Sequence, residues 1–191
     1  MKLAPAGSGL PNFERLFIKN LLVPTIRIFI TWDIALFLLQ RELRIIDKLL
    51  KSINEDLLTK KVIIDRTFAI EDDSRQFSIN MVCEHLVIAG MGVSSIIKKL
   101  SREQIPKNEL TIEQVKPKEN KENSLEDFLA FMNMYENMMK KLDKKQSNAK
   151  MRHPWFVEFN NFDWSVFMYM HTFIHRRQIE EIIRVLGENN D

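Results

Sequence analysis

The chain has 191 residues, 45% of them hydrophobic and 28% charged, with a net charge of +2. A chain of this length forms one domain, in which folding buries roughly 70% of the surface the unfolded chain exposes. The even charge balance argues against a nucleic-acid partner, which needs a concentrated basic face, and the single cysteine, Cys83, excludes an intrachain disulfide and fits a reducing compartment.

Residues 1–11, with small residues and two prolines, read as a loose lead-in. No long apolar run follows Lys2, so a signal peptide is not expected. The most apolar stretch is LFIKNLLVPTIRIFITWDIALFLLQ. Lys19, Arg27 and Asp33 break it into pieces well short of the ~20 residues of a membrane-spanning helix. The expectation is a cytoplasmic chain with no membrane partner.

Glycine is scarce and Leu, Ile, Met, Lys and Glu dominate, with neither an Asn-Gly nor an Asp-Gly hairpin signal. The chain therefore reads as all-α. A helical pattern begins at Pro11, and Pro24 starts or kinks a helix. From there to about Thr59 apolar residues return at spacings of three and four: Ile30, Ile34, Phe37, Leu38, Ile45, Leu49 and Ile53, interrupted at Arg41. The spacing predicts a long first helix that buries this stripe.

TFAIEDDSRQFS is turn-rich, and Asp73 or Ser74 is a candidate N-cap for the second helix. That helix ends near Leu100 and turns Ile79, Cys83, Leu86, Val93 and Ile97 inward. A long polar loop follows from Ser101 to Asn123. Ser124, with Asp127 three residues on, resembles a helix start. The third helix runs to about Leu142 and carries Phe128, Phe131, Met132, Tyr135, Met138 and Met139, with the methionines as adaptable core filler. A short basic link leads to HPWFVEFNNFDW, a loop rich in aromatics. Asn161 caps a fourth helix that reaches about Leu186 and ends at Gly187. Four main helices imply a four-helix bundle with an extra N-terminal helical segment, in a single domain.

Four histidines occur: His85, His153, His171 and His175. His171 and His175, four apart in MHTFIHRRQIEEII, point in nearly the same direction on a helix, about 6 Å apart along its axis. Two imidazoles so placed can chelate one ion. A third ligand must come from another helix, and His85 is the remaining helical histidine. The ordinary account is also open: an H-x3-H pair arises by chance, and a buried histidine sits neutral in a core or donates to a carbonyl. Cys83 lies about 200° around the helix from His85 and reads as a small buried hydrophobe.

Other residues join this face. Trp164, seven before His171, reads as core or as pocket wall. Gln178, one turn past His175, reads either as the partner of a ligand's second ring nitrogen or as a helix–helix contact. His153 is a candidate proton shuttle or substrate contact, or the residue that seats its loop. Arg176 and Arg177 point away and read as surface residues.

The stretch HPWFVEFNNFDWSVFMYMHTFIHRRQIEEIIRVL resembles the C-terminal part of the DinB/YfiT-like superfamily of metalloenzymes. The matching features are His153-Pro154, Trp164, and the H-x3-H-x2-Q-I run of His171, His175, Gln178 and Ile179. A second marker is EDDSRQFSINMVCEHL, with His85-Leu86. The chain departs from the family at Ile174, where many members are polar, at Arg177, where many have glycine, and at Phe156 and Val157, where a loop glycine is usual.

The resemblance implies a four-helix bundle with a long crossover between helices 2 and 3, and metal ligands at His85, His171 and His175. It implies a divalent transition metal such as zinc, nickel or iron, all suited to imidazole. It further implies a transferase that uses a low-molecular-weight thiol on a small-molecule substrate. Such relatives often pair, and the N-terminal segment holds more apolar residues than one stripe needs, so a homodimer is expected. The alternative is a non-enzymatic stress-response or ligand-binding module whose metal is structural or adventitious.

Overall fold

The fold is given by a computed structural model that describes residues 2–108, 111–122, 124–154 and 157–188. It is mostly helical. An N-terminal rod consists of α1 (Asn12–Phe17), a π-helical turn (Ile18–Leu22) and α2 (Val23–Phe29). Pro24 falls in the first turn of α2, where a missing N–H is tolerated. The rod meets α3 (Trp32–Leu50) at an angle of 109°. The bend lies at Ile30 and Thr31, both extended, and the Thr31 hydroxyl accepts the Ile34 N–H at 3.3 Å to cap α3.

The single helix expected from Pro24 to Thr59 is therefore three pieces, α2, α3 and the short α4 (Glu55–Leu58). Its buried stripe also differs. Trp32, Ala35, Leu39, Glu42, Ile46 and Leu50 face inward, whereas Ile34 and Phe37 are exposed. The inward line includes a charged residue because Glu42 meets Arg176 of the last helix. No apolar periodicity signals that pairing.

The second helix, α5 (Ile79–Leu100), buries all five residues expected of it. Its cap is Ser78, whose hydroxyl accepts the Met81 N–H at 3.1 Å. Asp73 and Ser74 instead belong to a separate 3-10 turn, Asp72–Gln76. α6 (Ser124–Lys141) buries Phe128, Phe131, Met132, Tyr135 and Met139. α7 (Asn161–Glu188) runs on through Gly187. Asn160 rather than Asn161 caps it: its side chain accepts the Asp163 N–H at 2.9 Å while Asp163 accepts the Asn160 N–H at 3.1 Å. Asn161 is spent elsewhere, tying Ser101, Lys145 and Ser147 together in the interior.

α3 packs on α7, α7 on α5 and α5 on α6. Gly90 lets the last pair approach, since a Cβ there would collide with the Phe131 ring. Before α7, β1 (Met151–Arg152) and β2 (Glu158–Phe159) pair antiparallel and turn the expected aromatic loop into a small hairpin. Phe156 lies outside the described residues.

The α5–α6 connection is long, as expected, although its end at Asn123 also lies outside them. The Glu84 carboxylate fastens it by accepting the N–H groups of Lys118, Glu119 and Asn120. The lead-in is not loose. Leu10 is buried, and the N–H groups of Ala4 and Gly9 bond to Asp72 and Glu71 at 2.6 and 2.9 Å. α5 has the length and hydropathy of a membrane span, but most of it is buried among the other helices.

Candidate metal centre

Three of the four histidines converge. His85 comes from the second turn of α5, and His171 and His175 from successive turns of α7. One ring nitrogen from each lies within 4.8 Å of the other two, close enough to hold a metal ion. The Nε2 atoms of His85 and His171 are 3.1 Å apart. Tetrahedral ligand nitrogens around one ion lie about 3.4 Å apart when each bond is about 2.1 Å, so the His85–His171 pair already stands near ligand spacing.

The far side of each ring decides which nitrogen faces inward. His85 Nδ1 is 2.7 Å from the Val115 carbonyl oxygen, which can only accept, so Nδ1 carries the proton and Nε2 is bare. His175 Nδ1 is 2.7 Å from Gln178 Oε1, and the Gln178 amide nitrogen donates to the Ser74 carbonyl at 2.6 Å. That second bond fixes the amide so that its oxygen faces the imidazole, leaving His175 Nε2 bare as well. The His171 ring stacks on Phe167, 5.2 Å between centres and 29° between planes.

All three rings are held neutral. Burial pushes His85 down to about 4, against a smaller opposite effect from its bond to Val115. Burial, then the neighbouring imidazoles, hold His171 well below the ordinary histidine value; burial and the nearby His85 do the same for His175. Neutral imidazole is the form that binds a metal.

The triad lines a cavity of about 310 Å³. The N-terminal rod covers this cavity, with Ile18, Leu22, Val23 and Ile26 lining it. Two points secure the rod. Arg27 forms a paired bond to Asp163 at 2.8 and 2.7 Å, and Glu14 pairs with Arg66 while accepting the Ala69 N–H at 3.1 Å.

Trp164 and His153 line the same cavity but are not part of the triad. The buried His153 ring packs among Phe159, Trp164 and Phe167, with the Phe167 centre 4.7 Å away. This burial pushes its pKa down to about 3, which makes it a weak base at neutral pH. Trp164 is wholly buried, and its indole N–H has no hydrogen-bond partner among the described residues. Cys83 is buried and its thiol is pushed up to about 12, so it is a core residue rather than a ligand.

Arg176 is not a surface residue. It bonds the buried Glu42 and also Glu180, with its guanidinium 5.2 Å over the Phe173 ring. Arg177 is exposed. Sequence reasoning missed Val115 and Ser74, whose carbonyls orient the site, because a backbone oxygen leaves no mark on residue type. Comparison with protein-family models, with curated proteins and with solved structures gave no match for this chain.

Proposed function

We propose that His85, His171 and His175 are the ligands of one divalent transition metal ion, zinc, nickel or iron, in a four-helix bundle of the DinB/YfiT-like type. On this reading the chain is a metal-dependent, thiol-dependent transferase that acts on a small molecule, as a cytoplasmic homodimer. The observation that carries it is the convergence of three neutral imidazoles, two of them with bare Nε2 atoms, on the wall of an apolar cavity. A metal that merely tied helices together would need no cavity above it. Three protein ligands leave an open position, the pattern of catalytic rather than structural sites. When bound, the ion supplies Lewis-acid chemistry and holds a thiol sulfur as thiolate at neutral pH.

The protein's own groups hold the site for this chemistry. Val115 and Gln178 keep the protons on the outer ring nitrogens of His85 and His175. His153 and Trp164 serve as walls that contact the substrate. Elemental analysis of protein purified without a nickel column tests the reading. One ion per chain is expected. His171→Ala and His175→Ala should lose it with helical content retained, because the core is built from apolar stripes elsewhere. If single alanine variants of all four histidines keep the ion, the triad does not exist.

A further inference from the structure

The geometry points to a substrate with an apolar body, an aliphatic chain or a ring system, whose single donor group reaches the three histidines. The position of the donor group rests on the metal reading above; the nature of the body rests on the cavity. The rod contributes Ile18, Leu22, Val23 and Ile26 to one side of the cavity. The helices opposite contribute Ala89, Val93, Phe167 and Met170. Its volume, about 310 Å³, is at the lower end of the range for small-molecule sites.

Among the described residues, the cations on its lining are already matched, and its one unpaired carboxylate accepts a backbone N–H. Arg27 is paired with Asp163, Lys116 with Asp73, and Glu71 accepts the Gly9 N–H. A carboxylate on a peptidic or acidic thiol would be buried against these walls with both lining cations already paired, at a heavy desolvation cost. An apolar body gains from the same walls. The rod has a second apolar side that faces out, at Phe13, Leu16 and Ile28, so an apolar probe has two places to go. The experiment must separate them.

Two measurements do so. The first uses metal-free protein and N-phenyl-1-naphthylamine, a neutral dye that brightens in apolar surroundings and carries no metal-binding thiol. One molecule per chain is expected to bind, and 1-octanethiol should displace it while glutathione does not. Ala89→Phe, which fills the cavity, should weaken the dye at least tenfold. Ile26→Ser on the roof does the same job if Ala89→Phe fails to fold. Phe13→Ser on the outer side should leave dye binding unchanged.

The second uses the cobalt-loaded protein and its thiolate absorption, with 1-butanethiol through 1-octanethiol. Affinity should rise about fourfold for each methylene added, the usual gain for burying one. Dye binding that responds to Phe13→Ser and not to Ala89→Phe or Ile26→Ser would overturn the proposal. So would affinity that is flat along the thiol series. If cobalt does not bind but the dye behaves as expected, the apolar cavity stands and the metal reading fails.

Discussion

Gln178 is the residue on which the orientation of the site depends most. It sits between His175 Nδ1 and the Ser74 carbonyl, and it is completely buried. Gln178→Ala removes the acceptor that keeps the proton on Nδ1 and frees the ring to rotate. Loss of such a partner typically costs 10- to 100-fold in metal affinity, and that is the expected result of a cobalt competition titration. Unchanged affinity would reduce Gln178 to a tie between α7 and the 3-10 turn. His153 predicts a different quantity. Its pKa is about 3 in the folded chain and about 6.5 when unfolded. Above pH 6.5 the ring is neutral in both states and burying it carries no protonation cost. As pH falls from 6.5 toward 3, the unfolded chain takes up a proton that the folded chain refuses, so stability falls. The loss approaches about 1.4 kcal/mol per pH unit for this group. Urea midpoints of metal-free protein at pH 7 and pH 5 should show it, and His153→Phe should make the decline shallower. An identical decline in the variant would mean that His153 does not contribute.

α5 and α7 carry the site; α5 could be read from its inward stripe, whereas the first turns of α7 are buried all round and its helix was marked by the spacing of its histidines. All five residues expected to face inward on α5 do so. Helical spacing alone puts His171 and His175 on one face; that His85 joins them rested on its being the remaining helical histidine and on the family resemblance. α3 was not legible. Its segment is apolar on more than one side, so the periodicity of Ile34 and Phe37 looked as good as that of Ala35 and Leu39, and long-range pairing of Glu42 with Arg176 decided between them. The bend at Ile30 was hidden because Pro24 drew attention six residues too early. Gly90 shows how closely the elements fit. A Cβ at this position would run into the buried Phe131 ring, with Met168 also 3.4 Å away. Alanine normally stabilises a helix interior by up to about 1 kcal/mol over glycine, but overpacking a core costs about 1–3 kcal/mol. The collision should win, and Gly90→Ala should lower the melting temperature by several degrees, since 1 kcal/mol is about 2–4 °C at this size. Combining it with Phe131→Leu should recover part of the loss. A variant that melts higher than the parent would show that α5 and α6 can move apart.

At the scale of the whole molecule, the N-terminal rod is apolar on two sides. One side lines the cavity. On the other, Phe13 is 75% exposed, Leu16 57%, Leu21 55% and Ile28 75%. A helix that is apolar all round is normally a buried helix, and exposed apolar patches of this kind mark interaction surfaces. A second copy of the chain is the simplest occupant, because a two-fold contact needs one self-complementary face and no further partner. Ile34 and Phe37 on α3 are exposed as well and extend the apolar surface beyond the rod. Light scattering at micromolar concentration should give twice the chain mass of 22.6 kDa. Replacing Phe13 and Ile28 together by serine should shift the protein to monomer, with the dimer weakened at least a hundredfold. The affinity of an apolar ligand should be the same above and below the dimerisation constant, because the residues of this outer face do not line the cavity. A wild-type monomer, or ligand affinity that changes with protein concentration, would overturn the assignment of the outer face of the rod to self-association alone.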